Sequence, residues 1–505
     1  MNETLTVEEI RDRIAAALEK EKAQFIADTS RILQFQTVSG GNAEEEKLYK
    51  EQIPLCIEWL RTVADRMGFT FRTKANRWAE IAWEAPGENR PVVGVPVHID
   101  VVTAIGNWTH PPFAGKIVDD HIYGRGTQDD KGPLMMALHG LYAVKQAGIE
   151  LPCDVRIIIG TCEEIGDWED IAEYLADRGA PDFGFTPDAT FPVTSGEKGM
   201  ISLDLVANWG ATQADPETGI EFVSLNGGTR SNIVPDKCEA VLRFPADRKA
   251  EVTRELMRAT TEFTVQNAGA NVTILPEVVK DSPTGEIVVT FLGKAAHGST
   301  PEVGHNAAID GLAFFGDIAT LPAGARAYMQ FLNMVGRELD GSNMMVASSH
   351  PFVGKTTVNL GVVRIAADSG KSVLNVRPTM GLTVARVLEC AKEAAAAFGD
   401  ATGLNIEVSQ NGKAMDAIFM DPDSPKVSPF LPALQRAFTA VTGREAELQA
   451  TGGTTYAKAL PVCCAFGPIL PGVDPELAHQ TDERIAISSL MRNATIYGTS
   501  FALMK

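Results

Sequence analysis

The ten residues "GRGTQDDKGP" (124–133) set two adjacent carboxylates, Asp129 and Asp130, beside a lysine and among glycine and proline. Like charges held side by side in a stiff turn repel one another, and cations between them would relieve that repulsion. Four other stretches carry residue types that could share such cations. In "PVHIDVV", His98 and Asp100 stand two apart on a strand-like run and so share a face. A carboxylate there can orient a metal-bound imidazole through its second ring nitrogen. Alone, the pair suits a hydrogen-bonded core histidine equally well. "TCEEIGD" places Glu163 and Glu164 directly after the strand-like "VRIIIG", and "FTPDAT" places Asp188 after the next such run. Ligands bind at strand ends of this kind in open α/β sheets. Taken singly, the glutamates read as a solvated loop, and His479 in "ELAHQTDE" as an exposed histidine. Together the stretches supply two imidazoles and three carboxylates, a set that zinc accepts and in which a carboxylate can bridge two ions. Two ions about 3.5–4 Å apart polarise a carbonyl and generate hydroxide at neutral pH.

The elements that must position these residues fall into two styles. From about 75 to 197, β-rich apolar runs ("RWAEIAWEA", "PVVGVPVHIDVV", "CDVRIIIGTC", "FGFTPD") alternate with helices ("LMMALHGLYAVKQAG", "WEDIAEYLADRG"). That alternation predicts a parallel or mixed sheet covered on both faces. The C-terminal stretch returns to it, with a helix in "SPFLPALQRAFTAVTG", a buried strand in "VCCAFGPI" and a long closing helix in "ERIAISSLMRNATIYGTSFALM". Between them lie two weakly similar copies of one order: paired strands, a helix, a further strand. The first runs through "SNIVPDKCEAVLRFP", "KAEVTRELMRATTEFTVQNAG" and "NVTILPEV"; the second through "TTVNLGVVRI", "KSVLNVRP", "TVARVLECAKEAAAAFG" and "LNIEVSQ". The chain therefore divides into 1–197 and 415–505, the two parts of one α/β domain, and an inserted α+β domain at 198–414.

At 505 residues the chain is long enough for two or three domains with cores, and 45% hydrophobic against 22% charged residues argues against extended disorder. A net charge of -20 works against nucleic acid or an anionic membrane surface as partner. Thr6 and Glu9 form a capping-box pattern ahead of Ile10, Ile14 and Leu18, where a signal peptide would show a basic start and an apolar run. No apolar stretch reaches transmembrane length. Seven cysteines without a CxxC spacing point to free buried thiols in a cytoplasmic protein, not to a disulfide framework or thiolate zinc site.

The series "HID", "GRGTQDDKGP", "EE", "PDA" and "AHQTDE", in this order, resembles the M20 metallopeptidases, and among them the bacterial dipeptidases of the PepV and Sapep type. The resemblance extends over nearly the whole chain, including "GGTRSNIVPD" and "AAHGSTPEVGHNAA" in the insert. It implies a zinc-peptidase-like mixed sheet flanked by helices, with the insert as a lid of two ferredoxin-like units. It implies two Zn2+ ions, with Mn2+ or Co2+ as substitutes. His98 and Asp188 would hold one ion, Glu164 and His479 the other, and Asp129 would bridge them. Asp100 would orient His98, and Glu163 would act as the base that takes a proton from the bridging water. Asp129, two before the lysine, matches the family ligand; the family has a cis peptide after it, which leaves Asp130 a structural partner. Asp188, where carboxypeptidase-like members have glutamate, resembles the aminopeptidase and dipeptidase branch and favours a substrate with a free amino end. In the lid, His297 would approach the scissile carbonyl oxygen. Asn232 would contact substrate, and Arg377 would grip its terminal carboxylate; a surface salt bridge is the alternative for that arginine. Gly452, Gly453 and Thr454 match a glycine-rich turn facing the same carboxylate, with threonine in place of the third glycine. The reaction implied is hydrolysis of dipeptides. An N-acyl-amino-acid deacylase and a non-catalytic peptide-binding relative are the other readings. Because the one insert contains two such units, the second could replace a partner's lid, so the site would be complete in a monomer.

Overall fold

The computed structural model describes residues 5–84, 89–166, 168–210, 219–267, 269–277, 283–318 and 321–504. Asp167 of "TCEEIGD", Ala268 at the end of the first insert helix and Val278 at the end of "NVTILPEV" lie outside the described residues. Contacts divide the chain into two units: Met1–Gly196 with Phe419–Ala450 and Thr454–Lys505, and Glu197–Ile418 with Thr451–Gly453.

The first unit is built on a nine-stranded mixed sheet. Its order is Thr70–Lys74, Trp78–Trp83, Asp154–Gly160, Val92–His98, Phe183–Thr186, Cys463–Phe466, Val193–Glu197 and Ile418–Phe419, with Leu448–Thr451 alongside Val193–Glu197. The central strands Asp154–Gly160, Val92–His98, Phe183–Thr186 and Cys463–Phe466 run parallel, and the outer pairings are antiparallel. Parallel strands covered on both faces read as unbroken apolar runs, and Val93 to His98 are accordingly all buried. The Lys131–Gln146 helix packs against Val7–Ile32 and Ile487–Leu503, and its residues are buried from Lys131 to Leu141 without a break. The Thr6–Glu9 capping box opens the Val7–Ile32 helix as its sequence predicts. The Ala43–Met67 helix, closed by Gly68 in the left-handed region, had no sequence expectation attached to it. In "ERIAISSLMRNATIYGTSFALM", Arg484–Ala486 form a short strand, and the helix begins only at Ile487.

Because the three parallel strands Asp154–Gly160, Val92–His98 and Phe183–Thr186 are neighbours, their carboxyl ends open side by side. His98 is the last residue of its strand; Glu163 and Glu164 follow theirs by three and four residues, and Asp188 follows its own by two. Local chain direction alone thus gathers four of the candidate residues.

The second unit contains one eight-stranded antiparallel sheet in two halves. The order is Asn271–Glu277, Thr284–Leu292, Lys237–Pro245, Glu221–Gly227, then Thr357–Ala366, Ser369–Arg377, Met200–Asn208, Ile406–Met415. The halves join between Glu221–Gly227 and Thr357–Ala366. Helices Lys249–Gln266 and Ala307–Gly316 pack on strands of the first half, Ala323–Arg337 and Val384–Thr402 on strands of the second. One sequence expectation changes here. "SNIVPDK" does not pair with the strand that follows it; that place is taken by Glu221–Gly227, while Ile233 makes only an isolated bridge to His297. The seven cysteines are all free, and all but Cys162 are buried. Among the described residues, no helix is long and apolar enough to cross a membrane.

Candidate metal centre

In the first unit, His98 Nε2 lies 2.9 Å from Asp129 Oδ1 and 4.0 Å from Asp188 Oδ2. His479 Nε2 lies 2.9 Å from the other Asp129 oxygen and 3.1 Å from Glu164 Oε2. Asp129 therefore offers one oxygen to each imidazole. Ligand-type atoms converge in two overlapping groups, His98 with Asp129 and Glu164, and His98 with Glu163 and Asp188. By distance alone Glu163 stands among the ligands of the second group. His98 Nε2 and Asp129 Oδ1 are buried and face one another at 2.9 Å, and neither has another hydrogen-bond partner. A buried acceptor pair left so is costly unless a cation occupies the space between, and imidazole with carboxylate oxygen is a donor set that suits zinc or manganese. The residues present fit a metal pair.

Surrounding groups fix these side chains. His98 Nδ1 is 3.0 Å from the Asp100 carbonyl oxygen and 3.4 Å from its carboxylate. A neutral His98 ring that donates from Nδ1 to this carbonyl would present the Nε2 lone pair to a metal. The Asp100 carboxylate instead accepts the amides of Glu163 and Glu164, both at 3.1 Å, and the Ser39 hydroxyl at 2.8 Å. Asp100 thus positions the glutamate pair as well as His98. The Asp129–Asp130 peptide is cis, and Asp130, fully buried, accepts the His98 amide at 3.1 Å. Lys131 is also fully buried and donates to the Phe35 carbonyl at 2.6 Å. Gly132 is required because a Cβ there would stand 2.1 Å from the Thr127 carbonyl oxygen.

Two supporting groups were not among the residues singled out from the sequence. Glu483 holds the turn before Asp129: its Oε1 accepts the amides of Gly126 (3.1 Å) and Gln128 (2.8 Å), and its Oε2 pairs with Arg125 at 2.5 Å. Asp170 accepts the amides of Thr161 (2.6 Å) and Cys162 (3.0 Å) and the Tyr456 hydroxyl (2.7 Å), and the Trp168 indole donates to the Glu163 carbonyl at 3.1 Å. A hint existed for the first pair, since both charges sit inside the quoted motifs; none existed for Asp170 or Tyr456.

With so many acidic groups enclosed together, titration is displaced. Burial first, then neighbouring carboxylates, pushes Asp188 and Glu164 up; Glu163 is raised by burial first, then by Asp188 and Glu164 despite His98. At Asp129 burial opposes ionisation, but the imidazoles of His479 and His98 outweigh it and hold the carboxyl well below its usual range. His479 is pushed up to about 11: burial acts against its charge, and Asp129 and Glu164 overcome it. In metal-free protein the imidazoles thus stand in for cations.

The remaining candidates gather in the second unit, except Thr454, which belongs to the first and accepts from Lys458 at 3.3 Å. His297 Nδ1 is 2.6 Å from the Ser299 hydroxyl. The Asn232 carbonyl accepts the Gly298 amide at 2.7 Å. Arg377, 4% exposed, is a buried residue and makes no surface salt bridge: its Nε donates to Asn375 Oδ1 and its Nη1 to the Gly452 carbonyl, both at 3.1 Å. Burial pulls its guanidinium down to about 10. Gly452 lies against Ser299, where a Cβ would come within 2.4 Å of that side chain, and the Gly453 amide donates to Thr451 Oγ1 at 3.0 Å.

Comparison with known proteins identifies the family and the fold. Residues 94–501 match the model of peptidase family M20/M25/M40. A protein of Bacillus subtilis (strain 168) named "Putative dipeptidase YtjP" is 30% identical over 483 residues, covering 95% of this chain and 96% of its own. Human carnosine dipeptidase 1 shares the fold with a TM-score of 0.57 at 13% identity, covering 98% and 99% of the two chains. The dipeptidase Dug1p of Saccharomyces cerevisiae does so with a TM-score of 0.58 at 14% identity, covering 99% of each. By the extent of the family match and of the bacterial relative's identity, the chain belongs to the M20/M25/M40 peptidase family.

Proposed function

We propose that the protein is a metal-dependent dipeptidase that hydrolyses the peptide bond of dipeptides with a free N-terminus. The observation that carries this reading is the buried pair His98 Nε2 and Asp129 Oδ1, 2.9 Å apart with no other hydrogen-bond partner and flanked by Asp188, Glu164 and His479. Family membership and the names of full-length relatives support the peptide-bond chemistry.

In this reading His98 and Asp188 would hold one ion and Glu164 and His479 the other, with Asp129 shared between them. Zinc is the ion that the donor set favours, with manganese or cobalt as substitutes. When bound, the ions supply the positive charge that polarises a scissile carbonyl and acidifies a water. Glu163, its backbone held by Asp100 and Trp168, takes the proton from the attacking water and returns it to the leaving amine. His297, its ring oriented by Ser299, donates toward the carbonyl oxygen as charge develops there. Arg377 and the Gly452–Gly453 turn receive the terminal carboxylate, and Asn232 contacts the substrate backbone. The chain acts as a monomer in the cytoplasm, each insert serving its own centre.

The test is a panel of dipeptides, tripeptides and N-acetylated dipeptides, assayed before and after chelation and after return of zinc, manganese or cobalt. Free dipeptides should be cleaved only with metal present. Turnover surviving rigorous demetallation would overturn the mechanism, and preference for the N-acetylated series would make the protein a deacylase.

A further inference from the structure

Asn359 lies in the middle of the Thr357–Ala366 strand, 1% exposed, and belongs to no motif. Its Nδ2 donates to the carbonyls of Ser231 (2.9 Å) and Ile233 (3.0 Å), the residues on either side of Asn232. That loop is in turn paired with the segment carrying His297. Gly298 N–H donates to the Asn232 carbonyl at 2.7 Å, Val234 N–H to the Ala296 carbonyl at 2.9 Å, and Ile233 bridges His297. Two positions earlier on the same strand face, Thr357 Oγ1 reaches the Ser299 carbonyl at 3.3 Å, and Ser299 contacts the His297 ring. Across the sheet Asn359 pairs with Asn375, whose Oδ1 accepts from Arg377. One amide thus sits where the supports of Asn232, His297 and Arg377 meet.

We infer that Asn359 is a positioning residue for the lid side of the reaction. By tying both flanks of Asn232 to the sheet it fixes the register of 231–234 against 296–298, and with it the direction of the His297 ring. The amide is suited to this because its two N–H groups can satisfy two carbonyls at once; a carboxylate of the same shape would face those carbonyls with oxygen instead. The inference rests on the proposed role of His297 in dipeptide hydrolysis.

The experiment compares wild type, Asn359→Asp, His297→Ala and the double variant, each loaded with zinc. Displacing a reacting group by about an ångström costs on the order of 100-fold, so Asn359→Asp should lower kcat 10- to 100-fold while zinc content and KM stay near wild type. In the His297→Ala background the same change should cost less than about threefold, because the two residues act as one unit. Hydrogen exchange should speed up at 231–234 and 296–298 and leave the rest of the sheet protected. Where Asn359→Asp does not fold, Asn359→Ala carries the same comparison. A full additional loss in the His297→Ala background, exchange gained across the whole sheet, or failure of both variants to fold would each make Asn359 a structural residue and overturn the inference. Failure of the functional reading would look different, because wild type itself would then not cleave dipeptides.

Discussion

Replacing Glu483 tests how a residue outside the metal cluster holds it together. The carboxylate divides its work: Oε1 takes two backbone amides, and Oε2 takes Arg125, which is 1% exposed. In Glu483→Gln the amide oxygen can keep the Gly126 and Gln128 amides, while the new NH2 faces the guanidinium. The loss is then mainly an uncompensated buried charge, which costs about 3–5 kcal/mol. Glu483→Leu also orphans the two amides, at about 1–3 kcal/mol each, so it should be the less stable. Arg125→Met with Glu483→Gln removes the stranded charge and should recover at least about 2 kcal/mol relative to Glu483→Gln alone. Urea unfolding of metal-free protein measures the series without the contribution that bound metal would add. Metal titration should follow a separate order. The turn leads directly into Asp129, so Glu483→Leu should weaken zinc binding although it removes no ligand. A double variant no more stable than Glu483→Gln would refute the account, because the cost would then not lie in the unpaired arginine.

Three further outcomes are expected. Glu163→Gln should keep both metals and lower kcat by about 10²–10⁴, whereas Asp129→Ala should lose metal; metal analysis showing the reverse would exchange the roles. Mixing His297→Ala with Glu163→Gln protein should restore no activity if each chain completes its own centre, and recovery would mean the histidine is donated between chains. The buried Asp28–His139 contact (3.0 Å), with Arg66, Gln24 and, by charge, Glu21 around it, should make the fold acid-sensitive. Burial pushes His139 below its ordinary 6.5; at Asp28 burial opposes ionisation, but His139, Arg66 and Gln24 overcome it and lower the carboxyl. Both folded values lie under the unfolded ones, so the stability they contribute is present above pH 6.5 and lost as pH falls through each in turn. Thermal unfolding across pH should show a shallower acid slope for His139→Gln than for wild type.

Part of the metal side was legible because His98, Asp100, Glu163, Glu164 and Asp188 sit at or just after the ends of neighbouring parallel strands, which open together. Asp100, His98, Glu163, Glu164 and Asp188 needed only local pattern and chain direction. What holds them was not legible. Arg125 and Glu483 are 358 positions apart, and Asp170 meets Tyr456 across 286. Neither spacing has a period, and a buried charge looks in sequence like an exposed one. Asn359 is a single polar residue in an apolar strand, which reads as an interruption until the two carbonyls it serves are seen. The insert's repetition was visible as an order of elements, but its pairing was not. "SNIVPDK" has the β-branched residues of a strand, and its backbone groups go instead to Asn359 and to 296–298.

The strand Met200–Asn208 opens the insert in sequence yet lies between Ser369–Arg377 and Ile406–Met415, inside the second half of the sheet. In the first half the equivalent place is filled by Thr284–Leu292, which comes last among its strands. The second half is therefore sewn from both ends of the insert, and the first half is enclosed within it like a parenthesis. No single internal cut can excise the second half whole, whereas the first half is one contiguous stretch of chain. A shortened relative with one unit would have to arise by dropping that enclosed stretch and rejoining the strands on either side. The order of synthesis follows the same constraint: the first half has all its strands before Thr357 is made, while Met200–Asn208 must wait for Ser369–Arg377 and Ile406–Met415, which leave the ribosome far later.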